Sequence, residues 1–274
     1  MNRAPATAVL PLILLIAAAA FEWLRPPVTV LLLVGLLATA LVARRTPGRP
    51  VGRELLVHAG CFVVALNLAW GAVPLEALIG GGAACADRMA PFALLRVGGA
   101  VLVLACVGLV VRLARAGLAD IGVRWPSGRT IVISLAVVPV IGVAAVLVGP
   151  PLAEPFFGPI APPTATLASL IPALLFAGAN ATMEEVVYRG ALLRWFMPVT
   201  GVASALALQA FVFGLAHGVG TDFIGSPLPV MAATVAAGLA FGALALRTRS
   251  LLLPIAIHVA LDIPVFYGKV CLGA

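Results

Sequence analysis

Long apolar runs separated by short polar segments follow one another through the 274-residue chain. They show neither the one-sided stripe of a helix with a wet face nor the strict alternation of a half-buried strand. About 20 apolar residues in a helix cross about 30 Å of hydrocarbon. By that ruler nine segments are expected to span a membrane: 6–24, 27–43, 55–79, 90–112, 130–149, 166–188, 200–219, 228–246 and 251–267. Several contain glycine or proline, which membrane helices tolerate. The expected fold is all-α, a polytopic transmembrane helix bundle of eight or nine spans. The lower count applies if the first run is cleaved or lies flat, but a second apolar run follows at once, so a retained first helix is the better reading.

Composition sharpens the picture. The chain is 63% hydrophobic and 10% charged, against roughly 25% charged residues in a soluble domain. A water-facing surface cannot be built from that remainder, which excludes a soluble globular protein. The net charge of +7 would suggest nucleic acid if it formed one patch, but the arginines sit between apolar runs and report topology instead. With the N-terminus in the cytoplasm, the cytoplasmic segments hold Arg3; Arg44, Arg45, Arg49 and Arg53; Arg112, Arg115, Arg124 and Arg129; Arg189 and Arg194; Arg247 and Arg249. These are thirteen of the seventeen basic residues. The expectation is a multi-pass protein of the cell's inner or plasma membrane, N-terminus cytoplasmic and C-terminus external. Residues 1–130 would supply the N-terminal helices and a cytoplasmic connector, and 131–274 the helices that carry the chemistry, in one integral unit.

Two connecting segments stand out. GLADIGVRWPSGR at 117–129 is the longest cytoplasmic connection, and its Leu118, Ile121 and Trp125 either lie at the interface on a short amphipathic turn or belong to an ordinary basic loop. The proline-rich stretch 150–165 reads as an extended external connector. Cys61 and Cys106 fall inside apolar runs as small core residues. Cys85 and Cys271 end up on the same side of the membrane, which is compatible with a disulfide, but no spacing argument supports one and the pairing stays open.

Ionisable groups inside hydrocarbon are costly, so each needs a reason. In the first half, His58 one turn after Glu54 reads as structural, Arg96 as a side chain snorkelling toward an interface, and Asn67 and Trp70 as packing residues. The second half is different. The sixth span ends ATMEEVVYRG. Adjacent on a helix, Glu184 and Glu185 point about 100° apart. Arg189 lies four residues after Glu185, on its face, as an ion-pair partner. Glu184 is left without a local cation, with Asn180 and Tyr188 one turn to either side, and suits a general base. The seventh span sets Phe213 and His217 four residues apart, and the ninth does the same with His258 and Asp262. Each of these taken singly has a structural alternative: an acidic pair beside a snorkelling arginine, a hydrogen-bonded core histidine, a polar clamp between helices. Together, five costly side chains on neighbouring helices provide a base for water, a proton donor and donors for an oxyanion.

At these residues the chain resembles the CPBP family of intramembrane proteases, which includes CAAX prenyl endopeptidases and bacteriocin-processing relatives. EExxxR is met by Glu184, Glu185 and Arg189, FxxxH by Phe213 and His217, and the final HxxxN or HxxxD by His258 and Asp262. The likeness covers about 165–265, with a further short similarity near 117–125. It implies peptide hydrolysis within the bilayer. Glu184 would activate water with His217 assisting, His258 and Asp262 would hold the oxyanion or scissile carbonyl, and Glu185 and Arg189 would support the helix end. An aspartate cannot donate to an oxyanion unless protonated, so Asp262 would orient His258 instead.

The resemblance leaves metal open. No cofactor is expected of a glutamic protease, whereas a zinc enzyme would use Glu184, His217 and His258; HExxH is missing. The expected partners are a membrane-anchored protein or peptide substrate and the lipid bilayer, with no nucleic acid. Abundant alanine, arginine and valine suggest a GC-rich bacterial genome, in which prenylated proteins are not expected, so a peptide or sorting-signal substrate is favoured. Two other classes compete. A non-proteolytic immunity or scaffold member would be expected to lack Glu184 or a histidine, and a proton- or ion-coupled transporter would often show two similar halves, which the sequence lacks. Depth poses a difficulty: His217 lies about 27 Å along its helix from Thr200, His258 only about 13 Å from Arg249.

Overall fold

The computed structural model describes residues 9–45, 52–71, 85–157, 167–218 and 226–271. Among these, nine helices account for the apolar runs: α1 (Val9–Ala20), α2 (Arg25–Arg45), α3 (Arg53–Gly71), α4 (Cys85–Leu113), α5 (Gly128–Phe157), α6, α7 (Val202–Gly218), α8 (Leu228–Thr248) and α9 (Leu252–Cys271). Helix α6 is composite. It is α-helical over Leu167–Glu184, becomes a π-helix over Glu185–Leu192, and returns to α-helix over Leu193–Thr200. Seven of the nine are long and apolar enough to cross a membrane, while α1 and α7 are shorter apolar helices. The chain is a multi-pass membrane protein with an all-α fold.

Two expectations about connections need correcting. The proline-rich stretch was expected to be extended, yet α5 continues through Pro150, Pro151 and Pro155 to Phe157, because a membrane helix can lose an amide donor without unwinding; 158–166 lie outside the described residues. Arg189 and Arg194 were expected in a polar loop. The helix instead runs on to Thr200, Arg189 is fully buried, and Arg194 donates to the Ala245 carbonyl of α8 at 3.2 Å.

The same extension removes the depth difficulty. Helix α9 starts level with Gly190 rather than with Thr200: a Cβ on Gly190 would lie 2.9 Å from the Ile121 carbonyl oxygen and 3.4 Å from the Leu251 side chain. From that level His258 is seven residues up α9, about 11 Å, and Glu184 is six residues up α6, about 9 Å. The α6–α7 hairpin, turned at Gly201 with a φ of 86°, extends beyond this level, so His217 also climbs to the height of Glu184.

The connector after α4 forms part of this floor. Leu118–Ile121 is a single 3-10 turn with Ile121 buried and Leu118 and Trp125 exposed, which satisfies the amphipathic reading for two of its three apolar residues. It is strapped to the α8–α9 turn, where the Leu251 amide donates to the Gly122 carbonyl and the Ser250 hydroxyl to the Arg124 carbonyl. Helix α7 is held against α8 by close backbone approach. A Cβ on Gly238 would sit 2.9 Å from the Ala210 Cα, and the Gln209 amide donates to the Gly238 carbonyl at 2.8 Å, the small-residue contact by which membrane helices associate. One core links the two halves: Val57, Val63 and Val64 of α3 belong to the same buried cluster as Val187, Leu192 and Phe213.

At the opposite end of the bundle, a disulfide joins Cys85 at the start of α4 to Cys271 at the end of α9, with Cα atoms 4.9 Å apart. The pairing that the sequence left open is therefore present. A separation of 186 residues left no local signal; helix packing brings the two ends together.

Two outcomes follow. Thiol labelling of denatured protein should count two reactive cysteines before reduction and four after; four before reduction would contradict the bridge. Gly190→Ala should destabilise the protein by about 1–3 kcal/mol, read as a lowered thermal midpoint in detergent, and an unchanged midpoint would contradict the close approach at Ile121.

Candidate active site

The chemistry-bearing residues meet where the π-helix begins. Wider winding starts at Glu185, immediately after Glu184, and π segments inside α-helices are frequent at functional sites because they re-aim side chains. The two carboxylates reach the same imidazole from α6. His258 of α9 donates from Nδ1 to Glu185 Oε1 at 2.8 Å, and its Nε2 faces Glu184 Oε2 at 3.7 Å and Asp262 Oδ1 at 3.5 Å. Asp262 is held in turn by Asn180, whose amide donates to Oδ2 at 2.9 Å. Three carboxylates from two helices thus surround one largely buried ring.

Behind them Arg189 compensates the buried charge. Its Nη1 lies 3.0 Å from Glu185 Oε1, and both side chains are fully buried. The guanidinium is otherwise enclosed by aromatic faces, with Phe213 at 4.1 Å, Phe241 at 5.6 Å and Tyr188 at 5.9 Å from ring centroid to the guanidinium carbon. A weakly hydrated planar cation suits such an enclosure better than an ammonium. Phe241, on the helix without acids or histidines, also lies 5.7 Å from the His258 ring. Nothing polar in its sequence neighbourhood signalled that role.

His217 completes the group from α7. Its Nδ1 donates to the Phe213 carbonyl one turn earlier at 2.8 Å, and its ring lies 4.3 Å from that of Phe213. Nε2 is left as the lone-pair nitrogen of the neutral ring.

The geometry adds to three of these readings. Asp262 was expected to orient His258 and lies 3.5 Å from its Nε2, while the shorter hydrogen bond to the ring comes from Glu185, which was expected to support the helix end. Tyr188 was expected on the stripe of Glu184; it stacks edge-on against Phe213 at 5.0 Å and reaches Asn67 of α3, making it a buttress. Arg96 was expected to snorkel outward, yet its guanidinium lies over Phe176 of α6 at 5.4 Å and acts electrostatically on Glu184 and Asp262. His58 keeps its structural reading, with Nδ1 donating to the Glu54 carbonyl at 2.9 Å. Among the described residues, no three histidine, cysteine, aspartate or glutamate side chains converge as metal ligands would.

Toward the disulfide, the site is roofed by Phe92, Phe176 and Phe266, whose ring centroids lie 5.3–6.3 Å apart.

Residues 165–264 match a protein-family model described as Rce1-like: Type II CAAX prenyl endopeptidase Rce1-like. No curated protein and no solved structure matches the chain. The matched segment contains Asn180, Glu184, Glu185, Arg189, His217, His258 and Asp262; Arg96 lies outside it.

Removing the cation alone should be worse than removing the pair. Arg189→Leu leaves a buried carboxylate without its guanidinium, at about 3–5 kcal/mol, whereas Arg189→Leu combined with Glu185→Leu should recover part of that loss. Thermal unfolding of the two variants checks it, and a double variant no more stable than the single one would contradict the pairing.

Proposed function

With residues 165–264 matching the Rce1-like type II CAAX prenyl endopeptidase model, we propose that this membrane protein is an intramembrane endopeptidase that hydrolyses a peptide bond of a membrane-associated protein or peptide. The observation that carries the reading is the convergence of Glu184, Glu185 and Asp262 on the single imidazole of His258, with His217 acting on the same base.

Glu184 takes a proton from a water molecule as its oxygen attacks the carbonyl carbon. It suits the task because, unlike Glu185, it has no arginine in ion-pair contact among the described residues. His217 has Nδ1 committed to a carbonyl and offers Nε2 to position that water or pass its proton. The attack moves the carbonyl π electrons onto oxygen. His258 meets that charge from Nε2 in its imidazolium form, which Glu185 favours by accepting from Nδ1. Two carboxylates close to Nε2 would otherwise compete for its proton, and Asn180 draws one of them, Asp262, toward itself. The proton on Glu184 then passes to the amide nitrogen, the C–N bond breaks, and a carboxyl terminus and a free amine result. Proton transfer by a positioned carboxylate contributes roughly 10²–10⁴-fold.

A site buried among membrane-spanning helices suits substrates that already reside in the bilayer, so we favour a membrane-anchored peptide or sorting segment, with Zn²⁺ dispensable.

Purified protein in proteoliposomes, offered a panel of membrane-anchored tails, should cleave at least one of them. Glu184→Gln should lose activity by roughly 10²–10⁴-fold while keeping its thermal midpoint, and a chelator should leave the wild type unaffected. Equal cleavage by wild type and Glu184→Gln would remove Glu184 as the base. Loss on chelation would transfer the chemistry to a metal.

A further inference from the structure

The proposed reaction builds a negative oxygen in a cavity already lined by three carboxylates, which makes the supply of donors the limiting feature of the site. Most donors are spoken for. His258 Nδ1 is given to Glu185, His217 Nδ1 to the Phe213 carbonyl and the Asn180 amide to Asp262, while Arg189 is held in its ion pair with Glu185. Asp262 offers no donor as a carboxylate. Beyond the histidine Nε2 atoms, the cation that remains is Arg96.

Arg96 lies eleven residues into α4, about 16 Å from Cys85 along the axis, where a charge in an apolar helix demands compensation. Asp262 lies nine residues before Cys271, about 14 Å along α9. Since the disulfide sets those two ends side by side, Arg96 and Asp262 stand at nearly the same depth. The guanidinium turns inward over Phe176, on the helix that carries Glu184. Its buried Nε has no hydrogen-bond acceptor among the described residues, and no carboxylate there forms an ion pair with it. Glu184 and Asp262 are nonetheless the acids that act on it electrostatically. An inward-facing cation with an unfilled donor, at the depth of Asp262 and over the helix that carries Glu184, has hydrogen bonding to offer a substrate oxygen.

We infer that Arg96 is a further catalytic residue, whose guanidinium donates to the oxyanion of the tetrahedral intermediate from the α4 side while His258 Nε2 donates from the α9 side. This rests on the proposed peptidase activity. Arg96 forms and breaks no covalent bond and transfers no proton; its contribution is charge and hydrogen bonding present in the transition state and weak in the ground state. Phe176 fixes the plane of the guanidinium.

The test measures kcat and KM on a cleaved tail for Arg96→Gln, Arg96→Lys and Arg96→Ala. Arg88→Gln, on the same helix and about two turns nearer the disulfide, serves as the control. Arg96→Gln should lose roughly 10²–10³-fold in kcat, as when an oxyanion donor is removed, with KM and thermal midpoint little changed. Arg96→Lys should retain part of the rate, methylguanidine should restore part of it to Arg96→Ala, and Arg88→Gln should match wild type. A peptidyl phosphonate that mimics the tetrahedral centre should bind wild type more tightly than Arg96→Gln. Wild-type kcat in Arg96→Gln, a loss confined to KM, an equal loss in Arg88→Gln, or equal phosphonate binding would overturn the assignment while leaving the peptidase reading intact. A wild type that neither cleaves nor binds the phosphonate would overturn both.

Discussion

Charge inside hydrocarbon must be compensated on the spot, and in this protein that constraint is met by the Arg189–Glu185–His258 chain. A fully buried carboxylate faces a guanidinium 3.0 Å away as its ion-pair partner and accepts from an imidazole 2.8 Å away. Either contact broken would leave an ion without water or counter-charge, a loss of several kcal/mol. The pairing therefore locks α6 to α9. Phe213 and Phe241 bring α7 and α8 into the same lock by closing over the guanidinium. What stabilises the bundle at this level also orients the ring at which the chemistry is proposed, so stability and function share their residues.

The π-helix makes that arrangement geometrically available. With plain α-helical winding, adjacent glutamates diverge by about 100° and one of them would face away from α9. The wider turn beginning at Glu185 lets both carboxylates reach His258, one at each ring nitrogen. It also carries Tyr188 away from the imidazole and toward α3, tying the N-terminal helices to the site. Below it Gly190 admits the connector and the start of α9 at close range, which sets the height of His258 relative to Glu184.

Toward the disulfide, the enclosure is aromatic rather than polar. Phe92, Phe176 and Phe266 come from α4, α6 and α9, and the Cys85–Cys271 bridge ties the outer two of these helices together above them. This cap excludes water from one side of the carboxylates and gives Arg96 a face to rest on. Dry surroundings strengthen every electrostatic contact inside, which explains how so few charged groups can organise the centre of the molecule.

Apolar run length alone determined that the chain is a helical membrane bundle, because hydrocarbon thickness and helical rise leave little choice. Spacing also determined the ion pair of Glu185 and Arg189 and the shared faces of Phe213 with His217 and His258 with Asp262, since four residues make about one helical turn. Only the tertiary structure decided what crosses between helices. The Glu185 contact to His258 spans 73 residues and the disulfide 186; neither leaves a periodic trace in the sequence. Arg96 turned inward because Phe176 and two carboxylates stand on helices packed against its own, which a single apolar run cannot reveal. The continuation of α6 through Arg189 was likewise hidden, because an arginine at the end of an apolar run signals a loop unless a buried partner is known to await it. Local spacing fixes which side chains share a helix face; packing alone decides what that face meets.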